Sequence, residues 1–122
     1  MPSEDLNGFI RSTIRSVWAL ELLLLISRER TRSWTPEDLN RELRGSLGLV
    51  SEIIAKFRGA GLIADGGDGS YRYEPQSAEL EKLVRELEAA YTARPLAVVR
   101  AIVAAPNEKI QTLADAFKVK KD

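Results

Sequence analysis

The spacing of apolar residues predicts helices along most of this 122-residue chain. In a first helical region, from about Asp5 to Arg30, apolar side chains recur at helical spacing and then run almost unbroken from Val17 to Ile26. A helix that is apolar around most of its circumference is usually buried centrally. The serine and threonine residues before this run are poor helix-interior residues, so we expect a kink or a second helix start near Ser16.

A short second helix is predicted from Pro36 to about Leu43. The Thr35 side chain can cap free amide groups at its start, and proline at the first helical position loses no hydrogen bond. Asp38 follows Thr35 by three residues, which is close to a capping box with aspartate in place of glutamate. The pair Arg44-Gly45 is expected to end this helix.

A third helix, capped by Ser46, is predicted from Leu47 to about Arg58, with a hairpin after it. The inward stripe of the helix follows steps of three and four residues and comprises Leu47, Val50, Ile53, Ile54 and Phe57. The glycines of Gly59-Ala60-Gly61 stop the helix. Strand-type residues then occupy 62–64 and 71–73, around the turn DGGDG. A lone two-stranded hairpin is marginally stable, so it must pack on the helices, with Tyr71 and Tyr73 on the packed face.

The remaining chain predicts further helices. Ser77 can cap a long helix that runs to about Ala93, and Arg94-Pro95 breaks it. A helix over 96–105 follows, and Asn107 caps a last one that carries Ile110, Leu113, Ala114 and Phe117. The long helix has an apolar seam, which either forms a dimer interface or packs on the chain's own first helix: Leu80, Leu83, Val84, Leu87 and Tyr91.

The composition narrows the classes of function. The chain has no cysteine and no histidine, which removes thiolate nucleophiles, imidazole bases and Cys/His zinc sites. We therefore expect a protein that is not an enzyme and has no metal site or cofactor. The longest apolar run is too short to span a bilayer, and the opening residues lack the basic start of a signal peptide. These features predict a cytoplasmic protein without membrane insertion.

The order of a short helix, a turn containing glycine, a second helix and a hairpin is that of a winged helix-turn-helix. Residues 35–73, TPEDLNRELRGSLGLVSEIIAKFRGAGLIADGGDGSYRY, resemble the winged domain of bacterial transcriptional regulators of the broad MarR, PadR and ArsR type. The segment VSEIIAKFRGAGLI, 50–63, carries the clearest likeness. The resemblance implies a mainly α fold with one small β-hairpin and additional N- and C-terminal helices. We expect one domain over 1–122, composed of a helical region 1–34, the motif 35–76 and C-terminal helices 77–122.

The resemblance also implies a function, namely sequence-specific binding of double-stranded DNA by a homodimer. The third helix is then the recognition helix, with Gly48 and Ala55 on its outward face, and the hairpin is the wing. The residues implied to contact DNA are Arg41, Arg44, Ser46, Ser51, Glu52, Lys56 and Arg72. Glu52 departs from the basic pattern of such regulators, although a carboxylate can accept a hydrogen bond from cytosine.

Charge leaves a second interpretation open. The chain carries 18 basic and 18 acidic residues, so its overall charge gives no indication of a nucleic-acid partner. Within 35–76, five basic side chains stand against seven acidic ones, and the predicted wing tip carries Asp65 and Asp68 where such regulators usually have arginine. Phosphate neutralisation supplies most non-specific DNA affinity. The alternative is therefore a winged-helix module that binds a protein partner.

Overall fold

The computed structural model of the protein describes residues 4–104, and this part of the chain is mainly helical with one antiparallel hairpin. The predicted mainly α architecture with a small hairpin is confirmed. The elements are α1 (Glu4–Thr13), α2 (Val17–Arg28), α3 (Pro36–Leu43), α4 (Leu47–Ala60), β1 (Ile63–Asp65), β2 (Tyr71–Tyr73), α5 (Ala78–Ala93) and α6 (Pro95–Ala104). The last predicted helix, from Asn107, lies outside the described residues.

The first helical region is divided into two helices, so the expected second helix start near Ser16 is confirmed. Ser16 adopts an extended backbone, and its side chain accepts a hydrogen bond of 3.1 Å from the amide of Ala19. This cap starts α2, whose apolar run is buried almost completely. The helix ends at Arg28, two residues earlier than predicted. The division lets α1 and α2 both pack against α5 and α6.

Both caps predicted around the central turn are present. The Thr35 hydroxyl accepts from the amide of Asp38 at 3.1 Å, and the Asp38 carboxylate accepts from the amide of Thr35 at 3.2 Å, which completes the capping box. Arg44 ends α3 in the left-handed conformation, at φ 57°. The Ser46 hydroxyl then accepts from the amide of Leu49 at 3.2 Å and starts α4. These local bonds fix the turn between the two helices.

Four of the five residues predicted for the inward stripe of α4 are buried: Val50, Ile53, Ile54 and Phe57. The prediction for Leu47 is wrong, since its side chain is 44% exposed. In a helix each side chain leans toward the N-terminus. Leu47 is the first residue of α4, so its side chain extends past the end of the helix instead of lying on the core.

The hairpin is held to the rest of the protein by a third extended residue. Ile63 pairs with Tyr73 and Asp65 with Tyr71, so β1 is displaced by one residue from the predicted 62–64. Trp34, just before α3, forms a bridge with Tyr71 through two backbone hydrogen bonds of 2.8 and 2.7 Å. Tyr73 is buried and Tyr71 is half-buried against the core, as expected for the packed face. The bridge joins the hairpin to the start of α3.

The C-terminal helices complete the described core. Ser77 caps α5 through a 3.1 Å bond from the amide of Leu80, and Arg94 ends it before Pro95. The next helix, α6, packs Val98 and Ile102 inward against α1 and α2. The core shared by all these elements is almost entirely aliphatic, with Phe9, Trp34, Phe57 and Tyr73 as its aromatic members.

Candidate nucleic-acid interface

The outward side of α4 is open to solvent along the whole helix. The five residues expected there are all exposed: Gly48, Ser51, Glu52, Ala55 and Lys56. Leu47 adds a sixth exposed residue at the N-terminal end. The helix has 14 residues and is therefore about 21 Å long. A free helix of this kind can enter the major groove of B-DNA, which is about 12 Å wide.

The turn before α4 contributes one unpaired cation. Arg44 is exposed and, within residues 4–104, forms no ion pair. Arg41, the other cation expected to contact DNA from this side, lies 3.4 Å from the carboxylate of Asp38. The backbone and hydroxyl of Thr35 hold the pKa of that Asp38 carboxyl below its usual range, so it stays charged. Ser46 is exposed, but its hydroxyl is used in capping α4.

The cations near the hairpin are paired with carboxylates. Arg72, the one expected DNA contact on the strands, lies 2.9 Å from Glu74. Arg58, near the end of α4, lies 3.6 Å from Asp65 at the start of the turn. At the tip, hydrogen bonds from Ser70 lower the pKa of Asp68, which keeps a negative charge there. The hairpin therefore offers little free positive charge.

A cation outside the motif lies beside α4. Arg15, in the connection between α1 and α2, lines a cleft of about 390 Å³ together with Glu52 and Lys56 of α4. Arg15 and Lys56 are both exposed, and neither forms an ion pair within the described part of the chain. Sequence reasoning missed Arg15 because it precedes the motif by twenty residues. The one signal in the sequence was its position next to Ser16, whose cap fixes the connection between α1 and α2.

The free charges around α4 are thus few and of both signs. Among residues 4–104, three cations on or beside the helix lack an ion pair: Arg15, Arg44 and Lys56. In the motif itself, 35–76, the carboxylates without an ion pair are those of Glu37, Glu42, Glu52 and Asp68. The candidate surface is therefore the outward side of α4 with its three cations.

A polar network fixes the hairpin against the helices. The Tyr73 hydroxyl donates to the carboxylate of Glu81 at 3.0 Å, and Glu81 also pairs with Arg30 and with Arg85. The Arg30 guanidinium lies 5.2 Å above the Tyr73 ring. Burial, followed by the bond to Glu81, raises the pKa of Tyr73 to about 12. These contacts join β2 to α5 and to the segment that follows α2, and so hold the hairpin against the helices.

The apolar seam of α5 lies within the chain's own core. Val84 and Leu87 are 2% and 0% exposed, and α5 packs against α1 and α2. The other members of the proposed dimer interface, Leu80, Leu83 and Tyr91, are half-buried against the same core. Val84 and Leu87 therefore pack on the chain's own helices, whereas a contact between copies through Leu80, Leu83 and Tyr91 stays a prediction. Val84 and Leu87 are consequently not available to a second copy.

Comparisons with known proteins add no relative. No protein-family model matches the chain, and neither a curated protein nor a solved structure is similar enough to count as a match. Within residues 4–104, no helix is both long and apolar enough to cross a membrane. The same residues contain no group of three or more carboxylates arranged to hold a metal ion.

Proposed function

We propose that this protein is a winged helix-turn-helix regulator of transcription that binds double-stranded DNA in a sequence-specific manner. The observation that carries the proposal is the open outward side of α4, presented by a capped turn and flanked by three unpaired cations. In this arrangement α4 is the recognition helix and the hairpin is the wing. A regulator of this kind acts in the cytoplasm of a bacterial cell.

Each part of the surface has a distinct task in the proposed complex. Arg44 lies beside the N-terminus of α4, where the helix dipole also favours a phosphate. Lys56 and Arg15 lie around one cleft on the flank of α4 and face the backbone of the groove. Ser51 and Glu52 are exposed toward the bases, where a hydroxyl bonds to several bases and a carboxylate accepts from cytosine.

The proposed complex contains two copies of the chain, because a two-fold DNA site is bound by a two-fold protein. Since Val84 and Leu87 of the α5 seam are buried, we place the contact between copies on α6. Its Leu96 and Val103 side chains are 69% and 64% exposed. Light scattering at micromolar concentration should give twice the chain mass, and a monomer at every concentration would contradict this part of the proposal.

Selection from a pool of random duplexes tests the proposed function directly. The purified protein should enrich one sequence with two related half-sites, and Ser51→Ala should change the preferred bases without changing the dependence on salt. Lys82→Ala, on the exposed side of α5, is the matched control and should bind as the wild type does. Failure to enrich any sequence at low salt, by protein whose circular dichroism shows it folded, would refute the proposal.

Two observations favour a second candidate function, the binding of a protein partner. The motif has an excess of acidic residues, and Trp18 and Leu47 expose large apolar side chains, at 37% and 44%. Protein interfaces are enriched in aromatic residues at their centres. If this function were the correct one, Trp18→Ala would abolish capture of a partner while the selection from random duplexes enriched nothing.

A further inference from the structure

The outward side of α4 begins with an exposed leucine, Leu47. Four large apolar side chains are exposed among residues 4–104, and Leu47 is the one on α4. It precedes Ser51 and Ala55 by one and two helical repeats, so the three side chains form a row along the helix. This row is about 12 Å long and carries no charge. It is therefore suited to base edges, while the phosphates are left to the cations beside it.

The residue next to Leu47 allows close approach. Gly48 is exposed, and a Cβ atom added there would meet no atom of the protein within 4 Å. The backbone of α4 is consequently bare at this point, and glycine is the residue that permits another surface to approach the backbone closely. Leu47 is thus an exposed side chain beside a stretch of helix backbone that another surface can approach closely.

We infer that Leu47 reads the C5 methyl group of a thymine in the major groove, and this inference rests on the proposed function. Thymine is the base that presents an apolar group in that groove, where the other base edges present hydrogen-bond donors and acceptors. The unpaired cations Arg44 and Lys56 match the charge of the phosphates on either side of such a contact. A duplex therefore fits this surface better than an apolar peptide.

The expected size of the effect follows from the area that one methyl group buries. Removing a buried methyl group from water strengthens binding by about fourfold. Replacing the contacted thymine by deoxyuridine removes only that methyl group and keeps the hydrogen-bonding edge. The substitution should therefore weaken binding of the wild-type protein by about fourfold at one position in each half-site, with little effect elsewhere.

The test replaces each thymine of the selected duplex by deoxyuridine, one at a time, and measures the affinity of three proteins. Wild type should distinguish thymine from uracil at one position in each half-site, and Leu47→Ala should bind the thymine and uracil duplexes equally. Lys82→Ala removes a side chain that is exposed on α5, outside the proposed DNA and dimer contacts, so it should keep the discrimination. All three proteins are expected to fold, because neither Leu47 nor Lys82 is in the core.

Each outcome decides between the alternatives. Equal binding of thymine and uracil duplexes by wild type at every position would overturn the inference and leave the proposed function standing. Discrimination that persists in Leu47→Ala would assign the contact to another residue and would also overturn it. If no duplex is enriched at all, both the inference about Leu47 and the proposed function fail. Leu47 then belongs to a protein-binding surface.

Discussion

If the proposed function is correct, replacing Arg15 by alanine should weaken DNA binding and reduce its dependence on salt, although this residue lies outside the segment 35–76. The reason is its position in the cleft that it shares with Lys56 and Glu52, where it has no carboxylate partner among the described residues. A cation that is already paired with a carboxylate contributes less to DNA affinity when it contacts a phosphate. We therefore expect unpaired and paired cations to behave differently.

The magnitude follows from the number of unpaired cations. Each phosphate contact contributes about 0.9 to the slope of log affinity against log salt concentration. Three contacts per chain, from Arg15, Arg44 and Lys56, give a slope of about −2.7, so raising the salt from 50 to 200 mM weakens binding about 40-fold per chain. If Arg41, Arg58 and Arg72 also contacted phosphates, the slope per chain would be about −5.4.

The assay is a fluorescence anisotropy titration of the selected duplex at several salt concentrations, with the number of chains per duplex taken from light scattering. Arg15→Ala, Arg44→Ala and Lys56→Ala should each reduce the slope by about 0.9 per chain. Arg72→Ala is the matched control, because its guanidinium lies 2.9 Å from Glu74. An unchanged slope in Arg15→Ala, or an equal loss in Arg72→Ala, would refute the reasoning.

Three further predictions concern the turn and the core. Replacing Asp65 and Asp68 by asparagine should strengthen DNA binding at low salt, because it releases Arg58 and removes negative charge from the tip; unchanged affinity would place the tip away from DNA. Leu87→Ala should lower the free energy of unfolding by about 2–5 kcal/mol in urea titrations, since this side chain is fully buried; a loss below 1 kcal/mol, roughly, would contradict that packing. The pKa of Tyr73 is raised from 10 to about 12, so the native state binds the phenolic proton more tightly than the unfolded state does. The free energy of unfolding should therefore fall as the pH rises from 10 to about 12. Tyr73→Phe should lose that part of the pH dependence, and an identical profile in both proteins would be the contrary result.

Part of this structure follows from the sequence alone because its causes are local. The caps at Thr35, Ser46 and Ser77 are hydrogen bonds across three residues, and the same residue types form them in most proteins. Gly61 ends α4 at φ 79°, a backbone conformation that glycine adopts without strain. Helix boundaries and the hairpin turn were therefore predicted to within one or two residues, as was the exposure of the outward side of α4.

The tertiary structure decided which surfaces remain free, because that depends on residues far apart in the chain. The sequence of the α5 seam is compatible with either a dimer interface or a core position. Val84 and Leu87 are buried because α5 packs against α1 and α2. The apolar spacing of α4 put Leu47 inward, but the helix starts there, beyond the core. Likewise, Arg15 reached the cleft beside Lys56 only because Ser16 starts a new helix. Apolar periodicity identifies the faces of a helix, whereas the arrangement of the other helices determines which of those faces is covered.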